Sequence, residues 1–521
     1  MTWWNFYFIA KAGLHFKGYL NAAPLWNFLL FAAVVTPIPE KWQRAALLRR
    51  LRAGAGAVMA LTLLWSETWL PPPAAIWKFL ANPSTRPSFE YAWRFLTNSL
   101  NPWLLAAAAG LLAAAWAAQK NRIRLTPLTL VLLTAIAATA AKGTQGTIER
   151  FHEQEAGREV LPPKNSGKPD FDIILIHVCS LSWDDLAHTK FDARPFLSKF
   201  DYLFTNFNSA TSYSNPAATR LLRAPCGQLS HGAIFREAPD NCYLMQELRG
   251  LGYRTYTLIN HDGRYDGYMG KISHNAKADP MFPLQLQPAK LNFDDTPILS
   301  DRQALGAWLK EARRQSSPAA VYYNTISMHQ GAHFSRAVVK NPWELDRFAR
   351  YSLFLGMLTG ELEEFFAELE ASGRKAVVVF VPEHGAALEG SRLQAEDLRD
   401  IPFPQMTLVP LAIKIFGPGY KAGSADQRRI DKPVSYLALA RTLYALMEHS
   451  PFTDKAASAK AVLSDIPETR LVSENENSVV MREGPGFVYR PTGGKWIAVP
   501  EDIWPVFTGD RYLANGPEAA K

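Results

Sequence analysis

Thiol, imidazole, carboxylate and hydroxyl groups together can build a metal-assisted transfer site. In this 521-residue chain each occurs where an apolar run gives way to polar residues. "IHVCSLSWDD" ends such a run at Cys179, "SMHQGAH" follows another and carries His329 and His333, and "EHG" follows a third and carries Glu383 and His384. Sulfur, nitrogen and carboxylate oxygen are the donors a borderline divalent metal takes. A lone cysteine is usually a small hydrophobe, and a lone histidine is usually hydrogen-bonded structure. At equivalent ends of several strands of one sheet they read instead as a metal site. His177 shares the face of Cys179 by strand alternation but sits one step deeper, and reads as structural.

The nucleophile belongs in "SATSYSNPAATRLLRAPCG", a Ser/Thr-rich turn running into a helical pattern, with Asn215 as its expected cap and Pro216 in its first turn. A hydroxyl there faces the backbone N–H groups and positive dipole end of a helix, which suit a phosphate or a developing oxyanion. The residue types alone leave Thr211, Ser212 and Ser214 equal.

The elements that must position these groups are short apolar runs alternating with helical patterns: "FDIILIHV" (171–178), "YRTYTLIN" (253–260), "AAVYYNTI" (319–326), "KAVVVFVP" (375–382) and "LVPLAIKIF" (408–416). Near-continuous hydrophobicity marks strands covered on both faces, and Ser300–Arg314 and Trp343–Ser372 carry helical periodicity. The expectation is an α/β fold with a doubly wound, mainly parallel sheet, whose ligands bind beyond the carboxyl ends of its strands. Further on, "GFVYRPTGGKWIAV" reads as a hairpin with no chemistry attached.

The first quarter differs. Four apolar windows, Leu20–Ile38, Ala53–Leu70, Trp103–Gln119 and Leu125–Ala141, approach the ~17–25 residues that cross a hydrocarbon core. Lys41, Arg44, Arg49, Arg50 and Arg52 lie between the first two, and Lys120, Arg122 and Arg124 between the last two; basic loops face the cytoplasm, which puts everything after Ala141 on the far side. The aromatic opening, Met1–Leu20, lies in the interface or joins a fifth span. No cleavable signal peptide is expected, and the first spans would act as the export signal. A polar stretch from Lys142 to Asp170 reads as a linker. The net charge of +8 is partly spent on the basic loops and is no nucleic-acid signal. Outside the cytoplasm disulfides persist, and of the three cysteines Cys226 and Cys242, in a polar stretch with turns, are expected to pair. An odd Cys179 is then best kept from oxidation by a metal.

An N-terminal membrane bundle, an α/β domain with a strand-end metal ligand, a Ser/Thr nucleophile at a helix start, "HxxxH" and "[DE]HG" together resemble the phosphoethanolamine transferases of the alkaline phosphatase and sulfatase superfamily. "CSLSWDDL", "TSYSNPAATRLLR", "PCGQ" and "PEHGAAL", continuing to "LRDIPFP", resemble the members of that group that act on bacterial cellulose, over essentially the whole chain. Where lipid A members typically carry a carboxylate, a threonine and Asp-His, this chain has Cys179, Ser214 and Glu383-His384. The resemblance implies zinc held by Cys179, Ser214, Glu383 and His384, with Ser214 as nucleophile, Tyr213 beside it, and His333 and Arg399 lining the substrate pocket. It implies His333 or His329 as general acid or base. Lipid A members have a later histidine shortly after "DHG"; here none occurs between His384 and His449, so a second resident zinc is not expected. The implied donor is phosphatidylethanolamine and the implied acceptor cellulose, at the bacterial inner membrane with the catalytic domain in the periplasm, among other cellulose synthase subunits. Rival readings are a transferase acting on lipid A or another periplasmic glycan, an ester hydrolase with the same metal core, and a non-catalytic membrane scaffold. The expected division is 1–141 membrane bundle, 142–170 linker and 171–521 transferase domain.

Overall fold

The computed structural model describes residues 2–16, 20, 22–36, 46–68, 73–81, 89, 92–93, 97, 102–121, 123–139, 147–163, 169–335, 344–391, 393–420, 427–491, 496–499 and 508–517. Lys41, Arg44, Arg122 and Trp343, the window ends Ile38, Leu70 and Ala141, and part of the expected linker lie outside the described residues.

The strands in chain order are β1 (Asp172–Val178), β2 (Tyr202–Asn208), β3 (Arg254–Ile259), β4 (Pro288–Leu291), β5 (Pro297–Leu299), β6 (Ala319–Thr325), β7 (Ala376–Pro382), β8 (Leu408–Phe416) and β9 (Arg428–Ile430). Seven of them form one sheet in the order β3-β6-β1-β7-β8-β2-β9. β3, β6, β1 and β7 are parallel, β8 runs antiparallel to both its neighbours, and β9 is parallel to β2. The sheet is mainly parallel, as expected, with β8 as its one reversed strand.

The central strands are apolar throughout because both faces are covered. Ile174, Ile176 and Val178 of β1 pack with Leu305 and Trp308 of helix Asp301–Arg313 and with Leu358 and Phe365 of helix Arg347–Ala371. Ile173 and Leu175 face the other way, into a core with Leu221, Leu244 and Leu443 from helices Ser214–Leu222, Leu244–Gly250 and Tyr436–Glu448. By the two-residue period of a strand, Cys179 continues this second face, which puts it on the side of helix Ser214–Leu222.

A second sheet, β10 (Val472–Asn475), β11 (Ser478–Glu483), β12 (Gly486–Pro491) and β13 (Ile497–Ala498), is antiparallel throughout. β12 and β13 are the two arms expected of the hairpin. Helix Thr147–Ala156, inside the segment read as a linker, packs Ile148 and Phe151 against Val472, Met481, Val488 and Trp496 of this sheet and its flank.

Near the N-terminus, helices Pro24–Val35, Ala46–Glu67, Pro102–Lys120 and Thr126–Thr139 fall on the four apolar windows, and helix Thr2–Phe16 packs with them through Phe8 and Ala12. Among the described residues no helix is long and apolar enough to cross a membrane.

Candidate metal centre and transfer site

β1 and β7 pair in register to their ends, Val178 opposite Pro382. The pairing continues past both strands: Glu383 N donates to Val178 O (2.8 Å) and Leu181 N to His384 O (2.7 Å), while Cys179 N donates to the O of Thr325, the last residue of β6 (2.9 Å). Cys179, Glu383 and His384 thus leave adjacent strands side by side, and their donor atoms lie within 4.8 Å of one another. Ser180 turns the chain away with φ 64°, in the left-handed region that a residue with a Cβ adopts at a cost. It is held there from both ends: its Oγ donates to Gln330 (3.1 Å) and its carbonyl accepts from Tyr351 OH (2.8 Å).

Asp185, five residues on, fixes the loop that follows His384. Its carboxylate accepts from Ser182 N (2.9 Å) and Oγ (2.8 Å), closing a capping box on helix Trp183–His188, and also from Ala386 N (2.7 Å) and Leu388 N (3.3 Å). The approach is so close that a Cβ on Gly385 would sit 2.6 Å from Ser182 Oγ and 2.9 Å from Asp185 Oδ2. Only glycine fits the last place of "EHG".

The three hydroxyls left open by the sequence separate in space. Thr211 Oγ1 donates to Asn475 Oδ1 (2.9 Å) and Ser212 Oγ to the Arg399 carbonyl (2.5 Å). Ser214 Oγ faces the cluster, 3.7 Å from Cys179 Sγ and 3.4 Å from His384 Nε2. The helix starts two residues earlier than expected: it runs Ser214–Leu222 with Tyr213 at the cap position, and Asn215, read as the cap, turns out to donate to Asp266 Oδ2 (2.7 Å). With Asn215 engaged outside, Ser214 itself enters the first turn, its hydroxyl beside the helix's free N–H end.

Burial governs the charge of the cluster. It pushes the Cys179 thiol up to about 12, with the Glu383 charge adding to the rise and Arg399 opposing it. It pushes Glu383 up to about 7 against the hydrogen bonds from Ser214 and Asn324, the latter donating at 2.5 Å. It holds His384 well below the usual imidazole range, with Arg399 acting in the same direction. Sulfur, carboxylate and imidazole therefore sit buried with no full counter-charge among them, the situation a bound cation relieves. Two details fit such an ion. Glu383 Oε2 is a buried oxygen with no hydrogen-bond donor among the described residues, and His384 Nδ1 is committed to the Gly385 carbonyl at 2.8 Å, which leaves Nε2 as the ligand atom.

Arg399 donates from Nη1 toward His384 Nε2 (3.3 Å), and its guanidinium lies over the Tyr213 ring at 5.6 Å. Tyr213 in turn donates to Asp400 Oδ1 (3.1 Å). The two histidines of "HQGAH" part company. His329 stacks on Phe293 (5.2 Å between centroids), is held to about 3 by burial, and feels the charge of Arg399. His333 turns toward the β4–β5 hairpin, with Nε2 3.1 Å from Asp295 Oδ1, Nδ1 3.0 Å from the Phe334 carbonyl, and its backbone paired to Leu291. His177 bonds Tyr322 OH (3.0 Å) behind Glu383 and is kept neutral by burial. Cys226 and Cys242 are joined, as expected.

Asn475 was invisible in the sequence. From β10 its amide donates to Ser212 Oγ (2.7 Å) and the Arg399 carbonyl (2.9 Å), while its oxygen accepts from Thr211 and Ser212 N (3.2 Å). One side chain thus ties the nucleophile turn to the Arg399 loop. Asn324, which orients Glu383, was missed for the same reason: a single amide in a strand gives no pattern to read.

Two family models match the chain, the cellulose biosynthesis protein BcsG N-terminal domain over residues 4–138 and the BcsG C-terminal domain over residues 133–496. The chain belongs to the BcsG family. It is 33% identical to the cellulose biosynthesis protein BcsG of Salmonella typhimurium strain LT2 over 561 aligned residues, and 33% identical to that of Escherichia coli strain K12 over 557 residues, covering 96% of each chain in both cases. Among solved structures, an alkaline phosphatase superfamily protein from Vibrio parahaemolyticus aligns at a TM-score of 0.48 and 11% identity, over 72% of this chain and 97% of that one. BcsG kinship rests on the sequence matches alone, which span both the N-terminal helices and the sheet-bearing domain.

Proposed function

We propose that this BcsG-family chain is a zinc-dependent phosphoethanolamine transferase that modifies cellulose as it is secreted. The observation that carries the reading is the meeting of Cys179, Glu383 and His384 donor atoms within 4.8 Å, with Ser214 Oγ against two of them. Zinc held by these three residues, with Ser214 Oγ as fourth donor, would lower the pKa of the serine hydroxyl and favour charge developing on phosphoryl oxygens.

In the first half-reaction Ser214 Oγ attacks the phosphorus of phosphatidylethanolamine. The Ser214 O–P bond forms, the P–O bond to diacylglycerol breaks, and the departing oxygen takes up the proton the serine gave up. In the second, a glucan hydroxyl attacks the same phosphorus, the glucan O–P bond forms as the Ser214 O–P bond breaks, and the proton the glucan gave up returns to the serine oxygen, regenerating its hydroxyl. Arg399 is the forked donor for the phosphoryl oxygens, with Tyr213 bracing its guanidinium. Of the two histidines we assign His329 to carry the proton, because its ring, stacked on Phe293, is on the side of Arg399, whereas His333 Nε2 is engaged by Asp295. His333 then shapes the pocket wall.

We assign residues 1–141 to a bundle in the bacterial inner membrane, 142–170 to the connection and 171–521 to the periplasmic transferase domain, with helix Thr147–Ala156 docked onto that domain. Outward-facing Leu25, Trp26, Val58, Leu61, Trp116 and Val131 support a lipid environment for the bundle. The lipid donor is then delivered beside the domain, and other cellulose synthase subunits are its neighbours.

The test is mass spectrometry of the full-length protein in detergent with phosphatidylethanolamine. A phosphoethanolamine adduct mapping to Ser214, and absent from Ser214→Ala, supports the reading; an adduct that persists in the variant overturns the nucleophile. Solid-state NMR of cellulose made with and without the protein reads the acceptor directly.

A further inference from the structure

The helix that begins at Ser214 ends over a second polar site. A cavity of about 30 Å³ there is lined by Arg220, Arg223, Gln228, Tyr436 and Thr469, beside the Cys226–Cys242 pair. At ~10–15 Å³ for each water-sized sphere, it has room for about two. All five side chains are more than nine-tenths buried. Arg220 Nε and Nη2, Arg223 Nη1, Tyr436 OH, Thr469 Oγ1 and Gln228 Oε1 have no hydrogen-bond partner among the described residues.

The other guanidinium nitrogens are committed: Arg220 Nη1 to Leu229 O (2.8 Å), Arg223 Nε to Asn275 O (2.7 Å) and Arg223 Nη2 to Arg236 O (2.6 Å). The nearby acids are engaged as well. Glu155 on the cavity wall receives Arg158 (2.5 Å) and Gln228 N (2.9 Å). Glu474, 4.0 Å from Arg220 Nη2, receives His152 (2.9 Å) and His231 N (2.8 Å). Two buried cations thus face a small space whose spare acceptors, Gln228 Oε1 and the Tyr436 and Thr469 hydroxyl oxygens, are all neutral. Buried donors find partners, and a donor excess of positive charge calls for an anion.

We propose that this cavity binds one monatomic anion of halide size, chloride under ordinary conditions, held by Arg220, Arg223, Tyr436 and Thr469. The space is too small for a substituted phosphate, which separates this site from the transfer chemistry. The ion pins the end of helix Ser214–Leu222 to the disulfide loop and to the start of helix Tyr436–Glu448.

Thermal unfolding of the full-length protein in detergent, in sodium chloride, bromide and gluconate at equal ionic strength, tests it. The halides raise the midpoint along a saturating curve that gluconate lacks, and a bromide-soaked crystal scatters anomalously at the cavity. Tyr436→Phe and Thr469→Val each remove one hydroxyl from the wall and raise the half-saturating halide concentration by about tenfold. Equal midpoints in all three salts overturn the proposal, as do halide curves unchanged in both variants or a soaked crystal with water alone in the cavity.

Discussion

The two halves of the molecule wear their residues on opposite sides. In the sheet-bearing domain the candidate site is inside: Cys179, Glu383 and His384 are buried and every central strand is covered on both faces. In the N-terminal helices large apolar residues also lie outside, with Leu61 67% exposed and Trp116 61% exposed, while Asn27 and Thr129 are buried along with Phe8 and Leu133. A water-facing domain hides oil, whereas a helix set meant for lipid can show it. The difference teaches that burial of the same residue type has a different sign of effect in each half, and this can be attacked experimentally.

The largest effect is expected inside the domain. Cys179→Ala, which removes the sulfur donor but no bulk, should cut transferase turnover by at least about a thousandfold, with zinc content falling in parallel and the protein still recovered with membranes. Retained turnover at normal zinc content would put the chemistry elsewhere. Next comes the bundle itself. Leu61→Lys should cost about 2.5–3.5 kcal/mol of membrane insertion and reduce the membrane-recovered fraction, while Leu463→Lys, at a 45% exposed domain position, should change stability by no more than about 0.5 kcal/mol. Equal effects at the two sites would erase the contrast.

Asn475→Ala should destabilise the domain by about 1–3 kcal/mol in denaturant titration, because it strands the buried donors and acceptors of Thr211, Ser212 and the Arg399 loop. Turnover at saturating donor should fall as well, since the same amide sets the nucleophile turn. The smallest effect is in pH. Burial alone would lower the His188 pKa, but the hydrogen bond and charge of Asp184 outweigh it and raise it to about 9. A raised imidazole pKa stabilises fully below the unfolded value near 6.5 and is lost as pH climbs through 9, a decline of about 1–2 kcal/mol. His188→Gln should flatten that window; a wild-type profile already flat from 6.5 to 9 would show the pair contributes nothing.

Much of the domain was readable because burial leaves a mark in composition. β1, β6 and β7 are covered on both faces and appear as unbroken apolar runs. β2, "YLFTNFN", was missed because Thr205, Asn206 and Asn208 interrupt it, and β9 is three residues at the sheet's edge. The reversal of β8 has no compositional trace, since strand direction is set by connections. At the site, the residue types at the strand ends were legible, and so was the Ser/Thr turn. The choice among Thr211, Ser212 and Ser214, and between His329 and His333, was not, because it depends on where a loop carries each side chain. Asn475 and Asp185 act through single hydrogen-bonding groups from remote or unremarkable positions, and sequence offers no periodicity to betray them.

The small C-terminal sheet touches two distant matters at once. Its outer contacts seat helix Thr147–Ala156, the first described element after the N-terminal bundle, and its Asn475 braces the turn that presents Ser214. Shortening the chain before Val472 would therefore unseat that helix and slacken the turn that carries Ser214 in one stroke, so the tail acts as a keystone between the two.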